Sequence, residues 1–211
     1  MACVTAVDAC HGRVIQTLKD EGVYDETLIV MMSDHGELLG ARGSAAFSKY
    51  SLYDPAIRVP LIIKPPQGYE GARGATSDAL VNLVDLLPTL LDFAGLDGGY
   101  SLPGISLKPL FEGKPLVRQR HATLTEFLWK DSVHSAIRSR DWKLIDGPHG
   151  RELYHIAEDP NEFNNLAADG CAAPHVAELE NACLGEIRLA SQGYASRHTE
   201  FERQDWNPLT M

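Results

Sequence analysis

The run Thr27-Leu28-Ile29-Val30-Met31-Met32 leads straight into Ser33-Asp34-His35-Gly36-Glu37, and this stretch limits the fold more than any other. A continuous apolar run reads as a strand buried on both faces, of the kind found in helix-covered parallel sheets. The polar cluster then falls at the carboxyl end of the strand, the edge where open α/β sheets bind ligands. Adjacent Asp34 and His35 could offer a carboxylate oxygen and an imidazole nitrogen to one cation. Gly36 would let the backbone turn without a Cβ clash. Taken alone, such a pair is more often an ordinary strand exit with Asp as a turn former.

The flanking segments fit an α/β layer. Over residues 2–21, Val4, Val7, His11, Val14, Ile15 and Leu18 recur at three- and four-residue steps, which predicts a helix with one apolar stripe, closed by Gly22. Residues 36–56 have no clean period and read as a loop containing Phe47-Ser48-Lys49-Tyr50-Ser51-Leu52-Tyr53-Asp54. Ile57 to Lys64 reads as a second strand, stopped by Pro65-Pro66. A helix is expected over 85–95, with Asp85 as N-cap, Pro88 in the first turn and Gly95 at the end. Its buried face would be Leu86, Leu87, Leu90, Leu91 and Ala94. From about residue 97 the texture changes to Gly-rich turns, then short strands at 121–127, 133–139 and 142–146, then Glu152-Leu153-Tyr154. Asp146-Gly147 with Gly150 is hairpin chemistry. A last helix over 174–190 would bury Val176, Leu179, Cys183, Ile187 and Ala190, although Gly185 lies inside it. Residues 197–211 read as a loose polar tail.

Composition removes several classes. The chain has 211 residues and a net charge of -10 with no basic stripe, so nucleic acid is not an expected partner. No apolar stretch approaches a membrane span and no typical signal peptide opens the chain, so a cytoplasmic location is expected if it is expressed as given. Cys3, Cys10, Cys171 and Cys183 have no paired spacing and read as reduced thiols, with a Cys171–Cys183 link left open. There is no His-Glu-x-x-His, phosphate loop or Gly-x-Ser-x-Gly, so zinc protease, nucleotide hydrolase and α/β-hydrolase lack their motifs.

The order of the motifs carries more. Ser33 to Glu37, then Ser48 to Asp54, then Arg58-Val59-Pro60-Leu61-Ile62-Ile63 resembles the sulfatase family of the alkaline phosphatase superfamily. So do Leu83 to Asp92, Glu152-Leu153-Tyr154, Asp159-Pro160-Asn161-Glu162 and Asn164-Asn165-Leu166-Ala167. The collinear matches cover about residues 2–190, and the Asp-His pair looks closest to the iduronate- and choline-sulfatase type and to phosphonate monoester hydrolases. The resemblance implies a partial alkaline-phosphatase-like mixed sheet flanked by helices (residues 1–118), a small antiparallel-sheet plus helix subdomain (119–192) and a polar tail (193–211). It implies that Asp34 and His35 are half of a divalent metal site, calcium in most sulfatases and manganese in some phosphonate hydrolases. It implies that Lys49 contacts the sulfate oxygens, a catalytic and substrate-binding role. A cation and an ammonium around a hydrolysed sulfate ester would stabilise charge building on its oxygens. Calcium favours Asp but rarely takes His, so His35 is either a ligand to a more nitrogen-tolerant metal or a hydrogen-bond donor to sulfate. Lys49 alone would read as a solvated loop lysine.

Glu126 and His134, on the late strands, are candidate substrate contacts because the small lobe abuts the active site in this family. Asp8 reads as structural, His11 as a core histidine, Arg58 as a structural salt bridge and Trp129, beside Lys130, as core or rim. His121, His149, His155, His175 and His198 have no ligand spacing. The family's nucleophile is a Cys or Ser in Cys/Ser-x-Pro/Ala-x-Arg, oxidised to formylglycine. These 211 residues do not contain that motif; Cys171-Ala172-Ala173-Pro174 has its Pro misplaced and no Arg. The expectation is a C-terminal portion of such an enzyme, inactive alone, with exposed apolar surface, acting on a sulfate ester or sulfated sugar only with a missing N-terminal half, or forming a homo-oligomer. The alternatives are a phosphonate or phosphodiester hydrolase on the same scaffold, and a non-catalytic binding or assembly protein.

Overall fold

The structure is a computed structural model that describes residues 2–44, 48–69, 74–97, 102–129, 131–147, 150–169 and 172–201, with backbone alone for Trp129 and 188–201. Phe47, Lys130, His149, Cys171 and the tail from 202 lie outside the described residues. Helix α1 spans Ala2–Asp20. It ends as the glycine at 22 predicts: the Gly22 and Val23 amides donate back to the Lys19 and Leu18 carbonyls, both at 3.0 Å. Strand β1, Ile29–Met32, pairs antiparallel with β2, Leu61–Lys64, in the register Ile29↔Lys64 to Met32↔Leu61. Two expectations are corrected here. The partner of β1 is not parallel, and β1 is only half-buried, with β2 its one strand neighbour among the described residues. β2 begins at Leu61 rather than Ile57, since Pro60 has no N–H for the ladder and residues Asp54–Ile57 form a helical turn, α2.

Helix α3 spans Leu86–Ala94. Its buried residues are polar, against expectation: Asp85 and Thr89 are inside, while Leu87 and Leu90 are exposed. Asp85 stands at the N-cap position of α3, as expected, but its side chain makes no cap hydrogen bond to that helix. It closes a short turn, Leu83–Asp85, in a capping box with Asn82. Its carboxylate also accepts from the Ile105 amide at 2.8 Å and from both terminal nitrogens of Arg120. Thr89 Oγ1 accepts from the Leu107 amide at 2.9 Å, and α4, Lys108–Phe111, follows. Gly104 lets this segment close on Asp85, since a Cβ there would stand 2.0 Å from the Val84 carbonyl oxygen. The polar face of α3 is thus docked by hydrogen bonds, with Leu87 and Leu90 left outward and Leu86 and Leu91 half-buried.

The second lobe follows the predicted short strands. β3 (Thr123–Trp129), β4 (Ser132–Arg138), β5 (Trp142–Gly147) and β6 (Gly150–His155) form an antiparallel sheet in chain order. One face carries Phe127, His134, Ala136, Ile145 and Tyr154 and packs on Leu52, Tyr53 and Ile57 of the loop after β1. The opposite face packs Leu144 and Leu153 on Leu179 and Val176 of α5, Ala173–Phe201. The tail expected from residue 193 is helical in its backbone as far as Phe201. Both buried clusters therefore belong to this sheet. In the first lobe α1 has no buried residue, and Val4, Val7, Val14, Met32 and Ile62 are all exposed, as expected of a chain that leaves apolar surface open. Among the described residues no helix is long and apolar enough to cross a membrane.

A buried charge cluster joins the lobes. Lys143 Nζ, fully buried on β5, lies 2.8 Å from Asp54 Oδ1 and 2.6 Å from Glu162 Oε1. Glu162 Oε2 accepts from the Asp54 amide at 2.7 Å, and Arg138 reaches Asp54 at 3.3 Å. Burial would raise the Asp54 carboxyl, but Lys143 and Arg138 outweigh it and hold it below the ordinary carboxylate range. Burial wins at Glu162 and pushes it up. Next to Asp54, the Pro55 and Ala56 carbonyls meet the strand exit: Gly36 N donates to Ala56 O at 2.7 Å, and a Cβ on Gly36 would stand 2.1 Å from Pro55 O. Gly36 is needed for this close approach.

Two outcomes are expected. Lys143→Met should lower unfolding free energy by about 3–5 kcal/mol in urea, because two buried carboxylates lose their shared cation; a loss under about 1 kcal/mol would show that the cluster is not buried in solution. Gly36→Ala should cost about 1–3 kcal/mol through overpacking on the Pro55 carbonyl, with faster hydrogen exchange at the residue 36 amide.

Candidate active site at the end of strand β1

Asp34 and His35 leave β1 together. Asp34 Oδ1 accepts from the His35 amide at 2.9 Å, and Ser33 Oγ donates to the His35 carbonyl at 2.6 Å. These bonds tie the strand exit to its own backbone, and both side chains face outward. The Asp34 side chain is 82% exposed and that of His35 41%. The His35 amide, aided by the Lys49 ammonium, holds the Asp34 carboxyl below its ordinary value. His35 Nδ1 lies 2.8 Å from the Gly36 carbonyl, so it carries the proton that donates there. Nε2 is then the acceptor, and it faces Lys49 Nζ at 3.1 Å.

Lys49 arrives across a loop that Glu37 closes. Glu37 Oε1 accepts from the Ser48 amide, and the Leu38 amide donates to the Ser48 carbonyl at 3.0 Å. Residues 37–38 and 48 are thus zipped together, and the next residue, Lys49, meets the His35 ring. Glu37 was not singled out among the site candidates, although it ends the Ser33–Glu37 cluster. Its position eleven residues before Ser48 carries no periodic signal.

The structure thus brings together Asp34, His35 and Lys49. It does not bring Glu126 or His134 to them: among the described residues no hydrogen bond, ion pair or ring contact links either one to the trio. Glu126 lies on the α5 face, where its charge acts on Cys183. His134 lies on the opposite face, buried, with its ring 5.1 Å from that of Phe127. His11, expected in a core, is exposed on α1, as is Asp8. Arg58, expected in a salt bridge, has none among the described residues. Cys3, Cys10 and Cys183 are free thiols.

A divalent cation fits this donor set in part. The ionised Asp34 is a suitable donor for such an ion, and the Nε2 lone pair of His35 becomes a second once Lys49 gives up its contact with it. Among the described residues no group of three His, Cys, Asp or Glu side chains converges. The pair could hold a cation only with donors from beyond this set.

Comparison with known proteins agrees with this geometry. Residues 1–96 match the Sulfatase family model. The N-acetylglucosamine-6-O-sulfatase of Bacteroides thetaiotaomicron is 38% identical over 176 residues, 79% of this chain and 31% of that protein. Among solved structures, the phosphonate monoester hydrolase of Agrobacterium radiobacter superposes with a TM-score of 0.79 at 29% identity, over 89% of this chain and 40% of that one. A structure in complex with its substrate D-glucosamine-2-N,6-O-disulfate gives 0.73 at 30% identity, over 90% and 40%. The chain spans about a third of the length of the curated relatives it matches. The mixed α/β architecture, the motif order and these matches agree: the chain belongs to the sulfatase family of the alkaline phosphatase superfamily.

Proposed function

We propose that this chain supplies part of the active site of a metal-dependent sulfate ester hydrolase. The observation that carries this reading is the contact of Lys49 Nζ with His35 Nε2 at 3.1 Å, beside Asp34. Asp34 and His35 are the metal donors of this chain, calcium being the first candidate and manganese the second. Lys49 meets the oxyanion of the substrate, where an ammonium stabilises charge that grows in the transition state. The remaining metal donors and the nucleophile, a formylglycine in this family, come from a second segment that packs on the exposed apolar surface of α1, β1 and β2. A metal bound here would act as a Lewis acid toward the ester oxygens. The substrate class is a sulfated sugar, by analogy with the named activity of the 38% identical relative and with the disulfated glucosamine complex. The Asp-His pair favours the iduronate- and choline-sulfatase type within the family. Phosphonate ester hydrolysis is the second reading, supported by the likeness to the Agrobacterium enzyme.

Calorimetry on the chain joined to a segment that supplies the remaining donors tests the metal half. Calcium or manganese binding weakened tenfold or more in Asp34→Ala is expected, and it would also dismiss a non-catalytic binding protein. An isotherm identical in Asp34→Ala would sink the metal assignment. Joined to a segment carrying Cys/Ser-x-Pro/Ala-x-Arg, the protein should hydrolyse an aryl sulfate faster than an aryl phosphonate. Lys49→Ala should then lower kcat/KM on the order of 10²–10³-fold. Faster phosphonate turnover would select the second reading.

A further inference from the structure

Two non-glycine residues of the loop between β1 and α2, Leu39 and Arg42, are left-handed, at φ 48° and 55°. Such backbone persists only where its surroundings over-determine it. Arg42 supplies the hold. Its guanidinium lies 3.9 Å from the centre of the Tyr53 ring, with Tyr154 and Phe163 at 5.6 and 5.8 Å. Nη2 donates to Tyr154 Oη at 3.3 Å, while Nη1 is buried without a hydrogen-bond partner. Contact with the rings, a cation over π faces, therefore places this side chain more than hydrogen bonding does. Tyr53 is anchored in turn. Its hydroxyl donates to Glu152 Oε2 at 2.8 Å, and the Tyr154 hydroxyl donates to the same oxygen. Burial and the Glu152 carboxylate push both phenols up, so both keep the proton they donate.

Arg42 and Tyr53 stand on either side of Lys49 in the chain. Lys49 is exposed, so its own packing does little to hold it against His35. Two hydrogen bonds lead back from Tyr53 to Lys49. Tyr53 N donates to Ser51 Oγ at 3.1 Å, and Ser51 N donates to the Lys49 carbonyl at 2.9 Å. On the other side, the bonds of Ser48 to Leu38 and Glu37 fix the residue before Lys49. We propose that Arg42 and Tyr53 are positioning residues for Lys49: their stack, tied to Glu152 and Tyr154 of β6, closes the segment that carries Lys49 and sets its ammonium against His35 Nε2. The Glu152-Leu153-Tyr154 motif thereby acquires a role at the site without reaching it. What Lys49 does there rests on the hydrolase reading; where it stands does not.

Nuclear Overhauser spectra of the full 211-residue chain read the place of Lys49 rather than turnover, so failure of the hydrolase reading would leave their result standing. A cross-peak between the Lys49 ε-methylene protons and the His35 ring protons is expected, because Nζ and Nε2 are 3.1 Å apart. It should fall to less than half in Arg42→Gly, which suits the left-handed backbone but removes the clamp. The same loss is expected in Tyr53→Phe, which keeps the ring but frees it from Glu152. The cross-peak should survive in Arg42→Lys, whose ammonium can still sit over the Tyr53 ring. Contacts of Trp142 with His155 and His175, stacked at 4.3 and 3.9 Å, report that each variant is folded. A merely structural clamp would lower the unfolding midpoint and leave the Lys49 cross-peak of the folded protein unchanged. If Arg42→Gly loses the Trp142 contacts as well, Tyr53→Phe decides alone. No Lys49 cross-peak in the unsubstituted chain, one at full strength in either folded variant, or one as weak in Arg42→Lys as in Arg42→Gly would each overturn the proposal.

Discussion

The buried ammonium of Lys143 is the contact on which the arrangement of this protein depends. It sits on the β5 strand of the second lobe, yet its partners are Asp54 and Glu162, from the loop after β1 and from the turn after β6. With Arg138 the cluster has two cations and two carboxylates, so its formal charges cancel. Such clusters add little net stability over an apolar core, but losing one partner is expensive. Their use is to specify position. Here one lysine fixes Asp54, and Asp54 precedes Pro55 and Ala56, whose carbonyls receive Gly36. The strand exit that aims Asp34 and His35 is thus referenced to the second sheet through a few atoms.

The family motifs divide into chemistry and clasps. Asp34, His35 and Lys49 point outward and bond mainly to each other or to local backbone. The other motif residues are mostly internal ties. Asp85 gathers Asn82, Ile105 and Arg120. Glu152 receives two tyrosine hydroxyls, and Asn165 Oδ1 receives the Leu153 and Ala167 amides at 3.0 and 2.9 Å. Asp159 Oδ2 accepts from Asn164 N at 2.7 Å. A polar side chain that satisfies several backbone amides cannot be exchanged for an apolar one without orphaning them. Acidic and amide residues in a motif therefore need not touch substrate.

Where local chemistry decides, the sequence was legible. Gly22 ends α1, Asp146-Gly147 with Gly150 marks the β5–β6 hairpin, and Val176, Leu179 and Cys183 give the inner face of α5. The Asp34-His35-Lys49 group was legible through motif order, not through spacing, because Lys49 reaches His35 only after Glu37 closes the loop on Ser48. Where the outcome depends on what lies across a face, the sequence misled. Leucine spacing in α3 pointed inward, while the polar face around Asp85 and Thr89 is the one that docks. His11 lies on an apolar stripe that nothing described covers.

Exposure of the site has a physical consequence. Opposite charges attract weakly in water and several times more strongly at the effective dielectric of a protein surface. Asp34, at 82% exposure, lies near the first limit, where Lys49 and a cation gain little from it. Met32, two residues before Asp34 at the end of β1, is exposed. Covering it would remove apolar area from water, worth about 25 cal/mol per Å². The same event would displace water near the end of β1. Each charge around His35 would then act through a lower dielectric, and the lone pair now facing Lys49 would matter more to a metal or an oxyanion. Burial of the apolar surface and activation of the polar group are therefore coupled, because one covering layer would do both.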